Sequence, residues 1–327
     1  MRFILRRLGF FVLTLWAALT LNFFLPRLMP GNPALAMMGK FRGPVTGQAL
    51  KALEVAFGVQ THQSLISQYF SYLGDVSTGK FGISLYFYPE SVGHVILAAI
   101  PWTLGLVGVT TILAFGLGTG TGIVAAWRRG GVADSILPPF FVITTAIPYF
   151  WIGMMLILVF AVKLQWLPAA FGYDVTTLPS FSAGFIGNIL QHAVLPAFAL
   201  LITTIGTWVL TMRNNMITTL AEDYVRMARA KGLSGHRIML DYAARNAILP
   251  NLTGFAMSLG FVVGGAILVE YVFNYPGVGF MLLQAVNNED YPLMQALFLL
   301  ITVTVLVAIL LADVATAVFD PRTRTRG

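Results

Sequence analysis

Six stretches of the chain contain no Asp, Glu, Lys or Arg: 8–26, 95–127, 135–162, 175–212, 246–269 and 291–312. A charge at the centre of a membrane-spanning helix costs about 2.5–3.5 kcal/mol on insertion scales, so charge-free runs are the pattern that lipid selects. Each run has room for the roughly 20 apolar residues that cross about 30 Å of hydrocarbon. Only 10% of the 327 residues are charged, against about 25% in soluble domains, too few to cover a water-facing surface. The sequence therefore predicts an all-α membrane protein with about six transmembrane helices. Two other stretches imitate spans. Residues 55–74 lack charge but carry Gln, Ser, Thr and His. Residues 271–288 hold Asn274, Pro276, Gly277 and Gly279, and read as a turn or a partly inserted, protein-covered segment.

Lys and Arg set the orientation. With both termini on one side, that side collects Arg2, Arg6, Arg7, Arg128, Arg129, Arg213, Arg226, Arg229, Lys231, Arg237, Arg245, Arg322, Arg324 and Arg326, out of 20 Lys and Arg in all. Both termini are thus expected in the cytoplasm, in a multi-pass membrane protein. The chain divides into an N-terminal transmembrane helix (1–28), a long external loop region (29–94), a five-helix core (95–318) with a cytoplasmic loop at 213–249, and a cytoplasmic tail (319–327). Arg6-Arg7, an apolar run and Ala34-Leu35-Ala36 imitate a signal peptide. The run is about 19 residues, longer than the 7–15 of a signal-peptide core, so a retained first helix is expected.

Several chemistries are excluded or disfavoured. The chain has no cysteine, which removes disulfides, thiolate metal sites and cysteine nucleophiles. Gly74-Asp75-Val76-Ser77-Thr78-Gly79-Lys80 fits seven positions of a phosphate-binding loop, but Phe81 stands where Ser or Thr must hold magnesium. Gly116, Gly118, Gly120 and Gly122 lie inside an apolar run, where small residues admit a neighbouring helix. His62, His94, His192 and His236 lack metal-ligand spacing, and no buried acid–base or nucleophile–base pair is evident. Asn251-Leu252-Thr253 fits a glycosylation triplet on the wrong side of the membrane. No catalytic residue, metal site or nucleic-acid surface is expected, and the chain does not read as an enzyme.

The loop 213–245 carries the information. Thr219 and Glu222 fit a capping box. Glu222 and Asp223 favour the start of a helix, Arg229 and Lys231 its end, and Gly232 can take the left-handed turn that stops it. A helix of about three turns is expected outside the membrane, with Tyr224, Met227 and Ala228 as a small apolar knob. Such a knob suits a groove on a protein better than it suits lipid headgroups.

The segment Asp223-Tyr224-Val225-Arg226-Met227-Ala228-Arg229-Ala230-Lys231-Gly232-Leu233, followed by Arg245-Asn246-Ala247-Ile248-Leu249-Pro250, resembles the coupling loop of binding-protein-dependent ABC transporter permeases of the dipeptide/oligopeptide/nickel branch. Against the general permease loop, Arg226 and Met227 replace Glu and Ala, in the branch's own pattern. Arg6-Arg7-Leu8, Pro30-Gly31-Asn32-Pro33, Gly79-Lys80-Phe81-Gly82-Ile83-Ser84, Ile147-Pro148-Tyr149-Phe150, Trp166-Leu167-Pro168, Glu270 to Gly279, Asp290-Tyr291-Pro292 and Asp320-Pro321-Arg322 extend the resemblance over nearly the whole chain. The long external loop matches the first permease subunit type.

The resemblance implies a type I ABC importer permease fold and half of a translocation pathway for di- or oligopeptides. The implied partners are a second homologous permease, two cytoplasmic ATPase subunits, an external solute-binding protein and membrane lipid. ATP and Mg²⁺ would be bound by the ATPases, with no cofactor in this chain. It further implies that Glu222, Asp223, Tyr224, Arg226, Met227, Ala228, Arg229, Lys231, Gly232 and Leu233 couple to the ATPase, that Pro250 sets the start of the fifth span, and that 29–94 is a docking surface for the binding protein or a structural cap. Oligosaccharides and nickel chelates are the alternative cargo; a passive channel or secondary carrier is the reading without a motor.

Overall fold

A computed structural model describes residues 2–28 and 64–319. The turn at 30–33, the site at 34–36, most of the 29–94 loop and the tail beyond 319 lie outside the described residues. Among the described residues, helices and their connections make up the whole, apart from an isolated antiparallel bridge between Ile83 and Ser91.

In chain order the helices are α1 (Arg2–Leu28), α2 (Leu65–Ser77), α3 (Val92–Trp127), α4 (Val132–Ala146), α5 (Tyr149–Leu156, continued by a π turn to Lys163), α6 (Ala183–Leu220), α7 (Asp223–Ala230), α8 (235–247, mostly π-helical), α9 (Leu249–Phe261), α10 (Ile267–Val272), α11 (Val278–Asn287) and α12 (Tyr291–Phe319). Five stretches are long and apolar enough to cross a membrane: Arg7–Leu25, Val92–Trp127, Ala183–Leu220, Leu249–Val272 and Tyr291–Leu311. The sixth expected span is two helices, Asp134–Ala146 and Tyr149–Lys163, meeting at 92°. The cause is local. Pro148 brings no N–H and its ring forces Ile147 out of the helical region, to φ −86° and ψ 128°. Residues 271–288 hold the end of α10, a turn and the short α11 rather than a span.

The chain forms two compact units. The first takes Met1–Thr103, Val263–Ile267 and Pro276–Gly327. Here α1 packs along α12, and α11 packs on α12 and on the opening of α3. Val92, Ala99, Val278, Ala285, Leu293 and Leu297 lie at the centre. The amphipathic α2 is tied to α1 by Thr20 and Tyr69 hydroxyls at 2.7 Å and by the Asn22 amide donating to the Tyr72 hydroxyl at 3.1 Å. Asp290 is fully buried before α12 and accepts from the Ser84 hydroxyl, the Tyr86 N–H at 3.0 Å and the Leu293 N–H at 3.2 Å. Two landmarks far apart in sequence, 79–84 and 290–292, are therefore one structure.

The second unit takes Leu104–Val262 and Leu268–Tyr275. The long α6 is its axis, with α3, α4, α5 and α9 packed on it. Only two of the four glycines in α3 serve this packing. A Cβ on Gly118 would lie 2.6 Å from Trp208 Cβ, and one on Gly122 would lie 2.7 Å from the Val209 carbonyl; at Gly116 and Gly120 nothing comes within 4 Å. The expectation that all four serve a helix contact is corrected by the 3.6-residue period, which puts residues four apart on one face and turns the other pair away. Phe115, Trp208 and Phe255 interlock across α3, α6 and α9, with Phe115 and Phe255 stacked at 4.2 Å. Asn251 is buried and donates to the Thr119 hydroxyl and the Trp208 carbonyl, both at 3.3 Å, so the glycosylation triplet is a packing element.

Candidate functional site

Among the described residues, the connection between α6 and α9 holds α7, a short helix with one buried apolar face and one exposed, largely charged face. The sequence reading places the start of this loop at Arg213, but α6 continues to Leu220. Thr219 is inside its last turn, with its hydroxyl donating to the Asn215 carbonyl at 2.9 Å. The Thr219–Glu222 capping box therefore does not form. Glu222 is itself the N-cap, with extended backbone (φ −68°, ψ 148°) and no capping bond from its side chain. The helix is also shorter than expected: α7 runs only from Asp223 to Ala230. Thr219 prefers its i−4 carbonyl because α6 packs on past the end of its apolar run, carrying Met212 and Met216 into a buried cluster.

The far end of α7 is closed by a complete Schellman motif. Gly232 stands at φ +76°; its N–H donates to the Arg229 carbonyl at 2.9 Å, and the Leu233 N–H reaches back to the Ala228 carbonyl at 3.3 Å. Leu233 then packs beside Val225 and Ala228, the apolar contact that accompanies this cap. A β-carbon at Gly232 would meet no neighbour within 4 Å, so glycine is needed there for conformation alone.

The two faces of α7 divide sharply. Val225 and Ala228, 0% and 2% exposed, close on Ile238 with Trp127, Leu220, Leu233 and Tyr242 around them. Tyr224 and Met227, 40% and 60% exposed, face outward. Ala228 is thus an anchor and not part of the knob, because at helical spacing it shares its face with Val225 rather than with Met227. Asp223, Arg226, Arg229 and Lys231 are exposed around the knob, with Arg226 at 3.6 Å from Asp223. Behind α7, the helical run 235–247 is rooted by Ala243, Ala244 and Ala247 on Ala126, Met212 and Met216. Pro250 lies in the first turn of α9, where a missing N–H interrupts no bond.

Sequence reasoning missed Val225, Trp127 and Ile238, which fix this helix. The Val225/Ala228 pair at i, i+3 was legible, but it competes with the bulkier Tyr224/Met227 pair one residue away. It also missed Glu270, which is fully buried within the stretch Leu249–Val272, in the same unit as Tyr149 and Tyr275. The charge-free criterion stops at residue 269, one position short.

Two family models match the chain. "Binding-protein-dependent transport system inner membrane component" covers residues 118–325, and the corresponding N-terminal model covers residues 1–106. The chain is 34% identical to the di/tripeptide transport system permease protein of Pseudomonas aeruginosa, with 98% of each chain covered. It is 33% identical to an oligopeptide transport system permease protein of Bacillus subtilis, again over 98% of each, and 32% identical to the dipeptide transport system permease protein of Escherichia coli, over 99% of each. The apolar spans, the capped helix between two of them and these full-length similarities have one conclusion: the chain belongs to the family of binding-protein-dependent transport system inner membrane components, as a multi-pass permease in the branch that holds the peptide permeases.

Proposed function

We propose that this permease forms half of the pathway of an ATP-driven importer of di- or oligopeptides, and that α7 is where it receives force from a cytoplasmic ATPase. The observation that carries this reading is the division of α7: one face locked into its own unit by Val225 and Ala228, the other offering Tyr224 and Met227 to a partner. A helix used to transmit motion must be anchored in its own chain and open on its partner's side; buried Val225 and Ala228 and exposed Tyr224 and Met227 support this.

The peptide cargo rests on the names of the relatives, as do the second permease and the external binding protein. The orientation, with α7 and both termini in the cytoplasm, rests on the distribution of Lys and Arg. In the cycle, closure of two ATP-loaded ATPases draws their docking grooves together. Tyr224 and Met227 are seated in such a groove, and Arg226, Arg229 and Lys231 set the approach by charge. The Schellman cap at Gly232 and Leu233 keeps the end of the helix rigid. Only Ala221 and the N-cap Glu222 separate α7 from the end of α6 at Leu220, so displacement passes into α6; Pro250 passes it into α9.

Burying the Met227 side chain in a groove is worth about 1.5–3 kcal/mol, and a carboxylate there would lose this and remain desolvated. The Met227→Asp chain, co-expressed with its partner permease and two ATPases, should insert normally but lose ATPase association on purification, and vesicles reconstituted with it, the ATPases and the binding protein should take up peptide at under about a tenth of the normal rate. Met227→Leu, which conserves volume, should transport normally. Undiminished uptake by Met227→Asp refutes the assignment.

A further inference from the structure

The coupling reading leaves unassigned how movement of α7 reaches α4. α4 packs along α6, and two of the contacts between them stand out. At Gly206 a Cβ would lie 2.7 Å from Thr145 Cγ2 and 3.0 Å from Phe141 Cβ, so the helices touch with no side chain between them. About two turns further along α6, Arg213 Nε donates to Asp134 Oδ1 at 2.5 Å, while Asp134 Oδ2 accepts the Gly130 N–H at 2.9 Å.

The Asp134 and Arg213 side chains are only 9% and 21% exposed. This separates them from the pairs on α7 and α8, Asp223–Arg226 and Arg237–Asp241, whose side chains are all more than half exposed. Fully exposed pairs contribute little, whereas a partly buried, hydrogen-bonded pair is less screened by solvent and resists separation more. Asp134 also lies in the first turn of α4, where a carboxylate suits the helix dipole. Arg213 lies two turns before the end of α6, which leads through Ala221 and Glu222 into α7. At its other end α4 reaches the 92° elbow at Pro148.

We propose that Asp134 and Arg213 are a pair of positioning residues acting as a strut: they keep α4 moving with α6, so that displacement of α7 is delivered to the elbow at Pro148. This rests on the coupling role of α7 and adds the path by which a second helix is driven. The packing of α4 along α6, close at Gly206, is apolar and non-directional; the ion pair adds a directional, charge-assisted tie at the start of α4.

The test uses the whole transporter in vesicles, with cysteine-free partners. Asp134→Asn and Arg213→Gln should assemble, hydrolyse ATP within about twofold of normal and import peptide about tenfold more slowly, as loss of a coupling term of ordinary size requires. The chain has no cysteine of its own, so D134C/R213C can be bridged selectively by a short bis-thiosulfonate reagent. Before bridging it should be as slow as the single variants; after bridging, uptake should recover to about half of normal or better.

Normal uptake by Asp134→Asn and Arg213→Gln overturns the strut. So does bridging that abolishes the remaining uptake, since the pair would then have to open during the cycle. Poor assembly of the single variants, with no recovery of uptake when D134C/R213C is bridged, also overturns it, by making the pair a folding contact only. Met227→Asp, run alongside, tests the underlying reading separately: if that variant imports normally, the coupling role of α7 fails whatever the strut variants do.

Discussion

Gly122→Ala and Gly120→Ala add the same methyl group to the same helix, and the structure expects opposite outcomes. At Gly120 the new Cβ meets nothing within 4 Å. Alanine there gains the helix preference over glycine, about 0.8–1 kcal/mol. At Gly122 the Cβ would sit 2.7 Å from the Val209 carbonyl, 2.8 Å from Met212 Cβ and 3.1 Å from the Arg213 nitrogen. These are backbone and β-carbon atoms that cannot rotate aside, and the shortest contact is about 0.7 Å inside the 3.4 Å at which ordinary contact begins. The helices must part by a comparable amount, and a gap of 0.5–1 Å forfeits about a quarter to a half of each dispersion contact along the seam. Overpacking of this kind costs about 1–3 kcal/mol. The helix preference is common to both variants and cancels, so Gly120→Ala should exceed Gly122→Ala in stability by about 1–3 kcal/mol. Parallel heating in one detergent, with the folded fraction followed by size-exclusion chromatography, reads this as a gap of several degrees, at roughly 2–4 °C per kcal/mol. Equal stability, or the reverse order, would refute the close approach of α3 and α6 at this position.

Gly232→Ala should destabilise the end of α7 by about 1–2 kcal/mol, the penalty for a side chain in the left-handed region, because Gly232 stands at φ +76° in open space. Gly232→Asn, which tolerates that region, should lose much less; trypsin cleavage after Lys231 in the purified chain reads both. Asp290→Ala removes a fully buried acceptor from the Ser84 hydroxyl and the Tyr86 N–H, at about 1–3 kcal/mol for each donor left without it. The expected result is lower thermal stability together with faster proteolysis of residues 79–91; unchanged digestion of that segment would count against the clamp.

The spans were legible because lipid imposes one simple rule, and charge obeys it along 8–26, 95–127, 246–269 and 291–312. What the rule cannot see is a break inside an apolar run. The stretch 135–162 has uniform composition, yet Pro148 turns it by 92°, an effect of backbone sterics rather than of hydropathy. The position of α7 was legible from Asp223, Arg229 and Gly232, which satisfy its ends. Its facing was not, since Val225/Ala228 and Tyr224/Met227 are both apolar pairs at i, i+3. The choice between them depends on packing against Ile238, in the next helix, and Trp127, about a hundred residues earlier in the chain. The Asp134–Arg213 pair was invisible for the same reason: each residue alone reads as a charge marking the end of a span.

The segment 74–80 shows why a motif needs its backbone. Its glycines match a phosphate loop, whose chemistry requires free N–H groups at the start of a helix. Here the glycines close the end of one. In α2 the Thr78 N–H donates to the Gly74 carbonyl at 3.2 Å, the Gly79 N–H to Val76 at 3.2 Å and the Lys80 N–H to Asp75 at 2.9 Å. Gly79 stands at φ +69°. This is the same Schellman arrangement that Gly232 and Leu233 build at the end of α7. The amides a phosphate would need are already committed to carbonyls, and the dipole at a helix C-terminus is negative, so it repels an anion. The spacing G-x-x-x-x-G-K therefore arises in this chain from the geometry of stopping a helix, and the conformation that stops α2 is the one that stops α7.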